Sequence, residues 1–243
     1  ARIAHEIKNP LTVIGGFSAR MARKDLASRE PATVGRYAKI ILKEVERLER
    51  IVQETLYFSR EAVLSRRPVD IHAEIGEVLS TFKEELSESG IETVLDLGAA
   101  TREISADPDQ IRQVLWNLVS NAVQAMEGGG TLTVATREET EDGEGILVLV
   151  GDTGGGIPHD AVHNIFNPFF TTKPRGTGLG LPIVHAIVQK HGGTIHLDNR
   201  EGEGVVFSVF LPRVPREMGT GERILEQMRK GGGSGTVSTG HSG

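Results

Sequence analysis

The chain has 243 residues, 38% of them hydrophobic and 25% charged, with a formal charge of −6. This profile is globular and excludes wholesale disorder and collagen-like repeats, and the negative charge argues against a nucleic-acid binder. The absence of cysteine excludes disulfides, thiolate zinc sites and cysteine nucleophiles, and no apolar run approaches the roughly 18 residues needed to cross a bilayer.

The first residue is Ala and the chain opens inside a helical pattern, so a longer protein is expected, with any sensor or membrane anchor upstream. From Ile7 the apolar positions Ile7, Leu11, Ile14 and Met21 recur at helical spacing. Turn-forming residues follow at 25–31. A second helix then carries Val34, Ala38, Ile41, Val45, Leu48, Val52 and Thr55 in alternating steps of four and three, a heptad seam. Two such helices make an antiparallel hairpin with one apolar stripe and no closed core. Pairing with a second copy into a four-helix bundle is expected.

Residues 61–68 are polar and basic and end at Pro68, which reads as a linker between a hairpin at 1–60 and a second unit at 69–215. In that unit the patterns predict a helix at 71–88, a strand at 91–97 and a helix at 109–126. Strands at 131–137 and 146–151 follow, then a loop-rich stretch, a helix at 181–191 and strands at 194–199 and 204–211. This is an α+β layer with helices on one face of a sheet. The remainder, 216–243, is rich in Gly, Ser and Thr and reads as a disordered tail.

Four blocks carry chemistry. In Ala4-His5-Glu6-Ile7-Lys8-Asn9-Pro10-Leu11, His5 lies about 200° round the helix from Ile7 and shares an outward stripe with Asn9, Thr12 and Gly16. An exposed neutral imidazole is a usable nucleophile, and the adjacent Glu6 can fix its tautomer or accept its proton. An ordinary surface histidine is the bland alternative. In Asn117-Leu118-Val119-Ser120-Asn121-Ala122, two carboxamides share one helix face. Their oxygens are hard neutral ligands suited to Mg²⁺ held also by phosphates, unless they are simply surface amides.

Asp152-Thr153-Gly154-Gly155-Gly156-Ile157 follows an apolar strand. Its glycines let backbone pass flat against a planar ligand, and Asp152 can accept a hydrogen bond from an exocyclic amine; a plain glycine turn is the alternative. The last block joins Phe166-Asn167-Pro168-Phe169-Phe170-Thr171-Thr172-Lys173 to Gly176-Thr177-Gly178-Leu179-Gly180-Leu181. Glycines opening a helix offer amides and a helix dipole to phosphate. It is not a P-loop, because no Gly-Lys-Ser/Thr follows. The phenylalanines read partly as core, and the glycine-flanked loop as a cover over a ligand. His159 and His163 lack a third ligand in the sequence, and His185 and His191 read as structural.

Taken in order, these blocks resemble the bacterial sensor histidine kinases over residues 1 to about 213. They look like the phosphoacceptor box, the N box, the first glycine box, the F box and the second glycine box. The ending Gln124-Ala125-Met126 and the loop 167–173 look most like the nitrogen-regulation subgroup. The resemblance implies a dimerisation and phosphotransfer hairpin followed by a GHKL-type ATP-binding sandwich, with ATP and Mg²⁺ as cofactors. It implies His5 as phosphoacceptor, Glu6 as its acid/base and Asn9 as the residue that positions water for dephosphorylating a regulator. Asn121 becomes the main Mg²⁺ ligand, with Asn117 beside it. Asp152 reads adenine, Gly154, Gly156 and Ile157 shape its pocket, and Phe170, Thr171, Thr172, Lys173, Gly176, Thr177, Gly178, Leu179 and Gly180 meet the nucleotide. Gln124 stands where many relatives have Lys or Arg, which gives Lys173 more weight. The implied partners are a response regulator receiver domain and a second copy of the chain, and the implied location is the cytoplasm. A nucleotide-gated binding module without kinase activity is the competing class, and the intact His5, Glu6, Asn121 and Asp152 argue against it.

Overall fold

The structure is a computed structural model and describes residues 2–22, 31–59, 64–140, 144–173 and 176–214. Helices α1 (Arg2–Met21) and α2 (Pro31–Ser59) form the hairpin. Phe17 packs on Tyr37 with ring centroids 5.1 Å apart, and the Arg20 guanidinium lies 5.5 Å from the Phe17 ring centre. Ile7, Ile14 and Met21 are half-buried, as a seam requires. Leu11, expected to face the core, is 53% exposed, and Leu42 of α2 is 60% exposed, so one hairpin does not cover its own apolar surface. The turn read between the helices and the tail at 216–243 lie outside the described residues, apart from Pro31, which opens α2.

The second unit is built on two sheets. Strands β1 (Arg67–Asp70) and β3 (Glu103–Ala106) pair antiparallel. The larger sheet has the order β2-β4-β5-β7-β6, from β2 (Ile91–Leu97), β4 (Gly130–Glu139), β5 (Gly145–Asp152), β6 (Thr194–Arg200) and β7 (Gly204–Pro212). Only β2 and β4 run parallel; the other neighbours are antiparallel. One face of the sheet is apolar at alternate positions: Leu132 and Val134, then Ile146, Val148 and Val150, then Val205, Phe207 and Val209, all buried. Helices α3 (Ile71–Glu88), α4 (Pro108–Ala125) and α6 (Gly180–Lys190) cover that face with Ile75, Phe82, Leu115, Leu118, Ile183 and Ile187 in a single core. A short α5 (His159–Val162) lies in the loop-rich stretch. The helix at 71–88 and the strand at 91–97 form with the expected bounds; the other elements of this unit shift at one or both ends by one or two residues. Among the described residues no helix is long and apolar enough to cross a membrane.

Two features depart from the sequence reading. The small β1–β3 sheet was not anticipated, because each strand has only four residues and β1 contains Pro68, a residue that pattern reading treats as a strand breaker. The expectation of a linker through residue 68 is corrected at its end. The Ser65 amide donates to Asp107 Oδ2 (3.1 Å), and Arg66 Nη2 donates to the Lys190 carbonyl at the end of α6 (2.9 Å). Asp107 is itself the N-cap of α4, its Oδ1 accepting from the Gln110 amide, and its own amide donates to Nε2 of the buried His191 (3.1 Å). His191 Nδ1 faces the Ile187 carbonyl at 2.8 Å. A carbonyl only accepts and an amide N–H only donates, so these partners select the neutral Nδ1–H tautomer. Burial, the largest influence, lowers the His191 pKa in the same sense.

Leu118 is 1% exposed at the centre of α4. Leu118→Ala is expected to destabilise the α+β unit by about 2–5 kcal/mol in urea denaturation followed at Trp116, the single tryptophan. A loss below about 1 kcal/mol would place Leu118 at a site that collapses freely, contrary to the packing described.

Candidate active site: a cleft between α4, α6 and the glycine loops

Helix geometry sets the first wall. Asn117, Asn121 and Gln124 fall on one face of α4, while Ile111, Leu115, Leu118 and Ala122 are buried. Asn117 is 6% exposed and its Nδ2 has no hydrogen-bond partner. Its Oδ1 would lie 3.3 Å from a Cβ placed on Gly180, so the first residue of α6 rests directly on it. The N-terminus of α6 carries no side-chain cap. Its amides and the buried carboxamide therefore converge on one spot that is rich in donors.

The second wall comes from the end of β5. Asp152 Oδ1 accepts from the Gly154 amide (2.9 Å). Gly154 packs closely on the end of α4: a Cβ there would stand 2.7 Å from the Ala125 carbonyl. Gly156 has φ +68, and a Cβ would come within 2.6 Å of the Arg200 carbonyl, so only glycine fits this turn. Asn199 of β6 clasps the loop from outside. Its Oδ1 accepts from the Ile157 amide and its Nδ2 donates to the Ile157 carbonyl, both at 2.8 Å. The sequence reading did not find Asn199; its contact spans 42 residues and no local pattern marks it.

The third wall is the loop before α6. Phe166 packs on the core with its ring 5.2 Å from that of His185, and Phe170 packs on the core while lining the cleft. Thr171 Oγ1 accepts from the Lys173 amide (3.1 Å), and Thr177 Oγ1 from the Leu179 amide (3.3 Å). Gly178 has φ +69, with Phe169 and Phe170 backbone 2.6 Å from any added Cβ. The Leu179 side chain is 1% exposed within the core, and Leu179 is not among the described residues that line the cleft. His159 pairs with Glu201 (3.7 Å). Among the described residues no group of three His, Asp or Glu could hold a metal ion.

These walls enclose about 840 Å³. Of the residues singled out in the sequence, Asn117, Asn121, Asp152, Gly156, Ile157, Phe170, Thr171, Thr172, Lys173, Gly176, Thr177, Gly178 and Gly180 line it. Lys43, Glu44 and Ile51 of α2 and Trp116 of α4 line it too and were not anticipated. His5, Glu6 and Asn9 belong to α1; Asn9 is exposed and is not among the described lining residues, and the side chains of His5 and Glu6 lie outside the described residues. Burial pushes the Asp152 carboxyl above its usual range, against the opposing pull of the Gly154 amide and the Lys173 ammonium. Burial likewise lowers the Lys173 pKa, with Asp152 opposing.

The Asp152 shift has a consequence for stability. Its pKa is higher folded than unfolded, so between the two values the unfolded chain releases a proton that the folded chain keeps. Stability therefore falls as pH rises through that interval and stays reduced above it. Asp152→Asn is expected to raise the melting temperature of the free protein at neutral pH, with the gain shrinking as pH falls through the carboxylate range. Thermal scans of both proteins across pH check this; a variant less stable than the parent at neutral pH would overturn it.

Comparison with known proteins places this geometry. Residues 1–62 match the His Kinase A (phospho-acceptor) domain, and residues 106–215 match the histidine kinase-, DNA gyrase B- and HSP90-like ATPase. Sensor histidine kinase ZraS of Escherichia coli (strain K12) is 39% identical over 212 residues, covering 87% of this chain and 44% of ZraS. The chain thus spans less than half the length of such curated relatives. The catalytic domain of histidine kinase ThkA is 35% identical with a TM-score of 0.56, covering 62% of this chain and 97% of that one. A structure of ThkA in complex with response regulator protein TrrA is 37% identical with a TM-score of 0.68, covering 89% of this chain and 61% of that one. The α-helical hairpin and the mixed-sheet unit are accounted for together: the chain belongs to the sensor histidine kinases, as a phospho-acceptor domain followed by a GHKL-type ATPase domain.

Proposed function

We propose that the chain is the catalytic core of an ATP-dependent protein-histidine kinase that phosphorylates itself on His5 and passes the phosphoryl group to an aspartate of a response regulator receiver domain. The observation that carries this reading is the cleft itself. It collects carboxamides from α4, Asp152 from β5 and the glycine-rich N-terminus of α6, which are far apart in sequence, around an uncompensated buried amide.

In this reading the Asp152 carboxylate accepts from the adenine amine, and Gly154 and Gly156 keep the wall flat beside the ring. Asn117 and Asn121 supply hard, neutral carboxamide oxygens, and the amides opening α6 donate to phosphate oxygens. That donor set fits Mg²⁺ accompanied by a triphosphate, and the ion when bound neutralises charge on the transferred group. An imidazole nitrogen of His5 attacks the γ-phosphorus, the bond to the β–γ bridging oxygen breaks, and ADP leaves with that oxygen. Glu6 accepts the ring proton. The receiver aspartate then takes the phosphoryl group as the N–P bond breaks. Asn9, exposed one turn beyond His5, holds water in line with the aspartyl phosphate for its hydrolysis, which frees the carboxylate and releases inorganic phosphate; this is positioning rather than proton transfer. The exposed Leu11 and Leu42 support a homodimer through the hairpin.

Three substitutions test the assignment. His5→Gln is expected to abolish acid-labile label from γ-labelled ATP while leaving ATP binding intact; label on another histidine would sink it. Asn121→Ala is expected to lower phosphotransfer by at least ~100-fold and weaken Mg·ATP binding; near-normal activity would remove its ligand role. With purified phosphorylated receiver and ADP, Asn9→Ala is expected to leave autophosphorylation intact and slow regulator dephosphorylation. Equal decay rates would leave Asn9 a structural residue.

A further inference from the structure

Among the described residues lining the cleft, the cations are Lys43 of α2 and Lys173. Lys173 Nζ lies 3.1 Å from Gln124 Oε1, and Gln124 Nε2 lies 3.0 Å from Ser120 Oγ. An ammonium only donates, so the atom facing it must be the amide oxygen. The Gln124 amide is thereby oriented, with its nitrogen directed back to the buried Ser120 hydroxyl one turn earlier on α4. A loop cation is thus tied, through one neutral side chain, to a hydroxyl anchored in the core.

The neutrality of that seat matters. A carboxylate at 124 would also hold Lys173, but it would cancel the charge. A carboxamide uses one of the three ammonium donors and leaves the charge available to an anion. Gln124 itself is exposed, so the hydrogen bond adds little to stability.

We propose that Gln124 is a positioning residue for the nucleotide's phosphates: it fixes where the Lys173 ammonium stands in the cleft, so that preference for triphosphate over bare nucleoside depends on it. The proposal rests on the reading of the cleft as an ATP site. Its test measures the binding of ATP, ADP and adenosine, by calorimetry or Trp116 fluorescence, to the parent chain and to Gln124→Glu, Gln124→Ala and Lys173→Met. Each variant is expected to lower the preference for ATP over adenosine roughly tenfold, the scale of one charge-assisted hydrogen bond. Gln124→Ala in the Lys173→Met background should add no further loss, because the two act as one unit. Gln124→Lys in that background, which returns a cation from the helix side, should recover the preference. Adenosine binding reports that each variant is folded. A parent chain that binds none of the three ligands overturns the ATP reading itself. A parent that prefers ATP while the Gln124 variants keep that preference overturns the Gln124 assignment alone, as does an equal loss for all three ligands or a failure of Gln124→Lys to rescue.

Discussion

Everything in the α+β unit depends on α4 serving as a core helix and a cleft wall at once. At 100° per residue, positions 117, 121 and 124 fall within an arc of about 60°, while Ile111, Leu115, Leu118 and Ala122 occupy the side turned into the core. A helix with this division cannot rotate. A small turn in either direction would drive carboxamides into the core or bring leucines into the cleft. The position of the polar face is therefore set by hydrophobic packing, and the chemistry of the site inherits the rigidity of the core.

The cleft is also where the free protein tolerates unfavourable contacts. Asn117 holds a buried amide nitrogen without a partner, Asp152 is a carboxylate shifted upward by burial, and Lys173 is an ammonium shifted downward by burial. An unsatisfied buried polar group alone costs about 1–3 kcal/mol. One orphaned donor beside two charges held partly out of water is the pattern of a surface shaped for a polar ligand.

Much of this was legible in the residues. The apolar periodicities of α3 and β2 carried their bounds, and the glycine blocks marked the loops that line the cleft. What was not legible depends on distance in the chain. Asn199 meets Ile157 only because β6 and the glycine loop share one end of the sheet. The β1–β3 pair is too short for a period to emerge, and Pro68 hides one of its strands. The wall contributed by Lys43, Glu44 and Ile51 arises from packing between helices whose sequences record only their own faces. Leu11 reads as core-facing because helical periodicity shows which residues share a face, and not whether that face is covered by the same chain.

The buried imidazole of His191 bears on how the two helices of the cleft are held. Both its nitrogens are committed, one to the last turn of α6 and one to the first residue capping α4, and the same cap holds the Ser65 amide while Arg66 holds the end of α6. The chain leaving the hairpin is thus fastened to both helices of the cleft before it reaches the first strand. A displacement of Ser65 or Arg66 would therefore pull on α4 and α6 together. The spacing of those two helices is in this way tied by four hydrogen bonds to a joint that lines no part of the cleft.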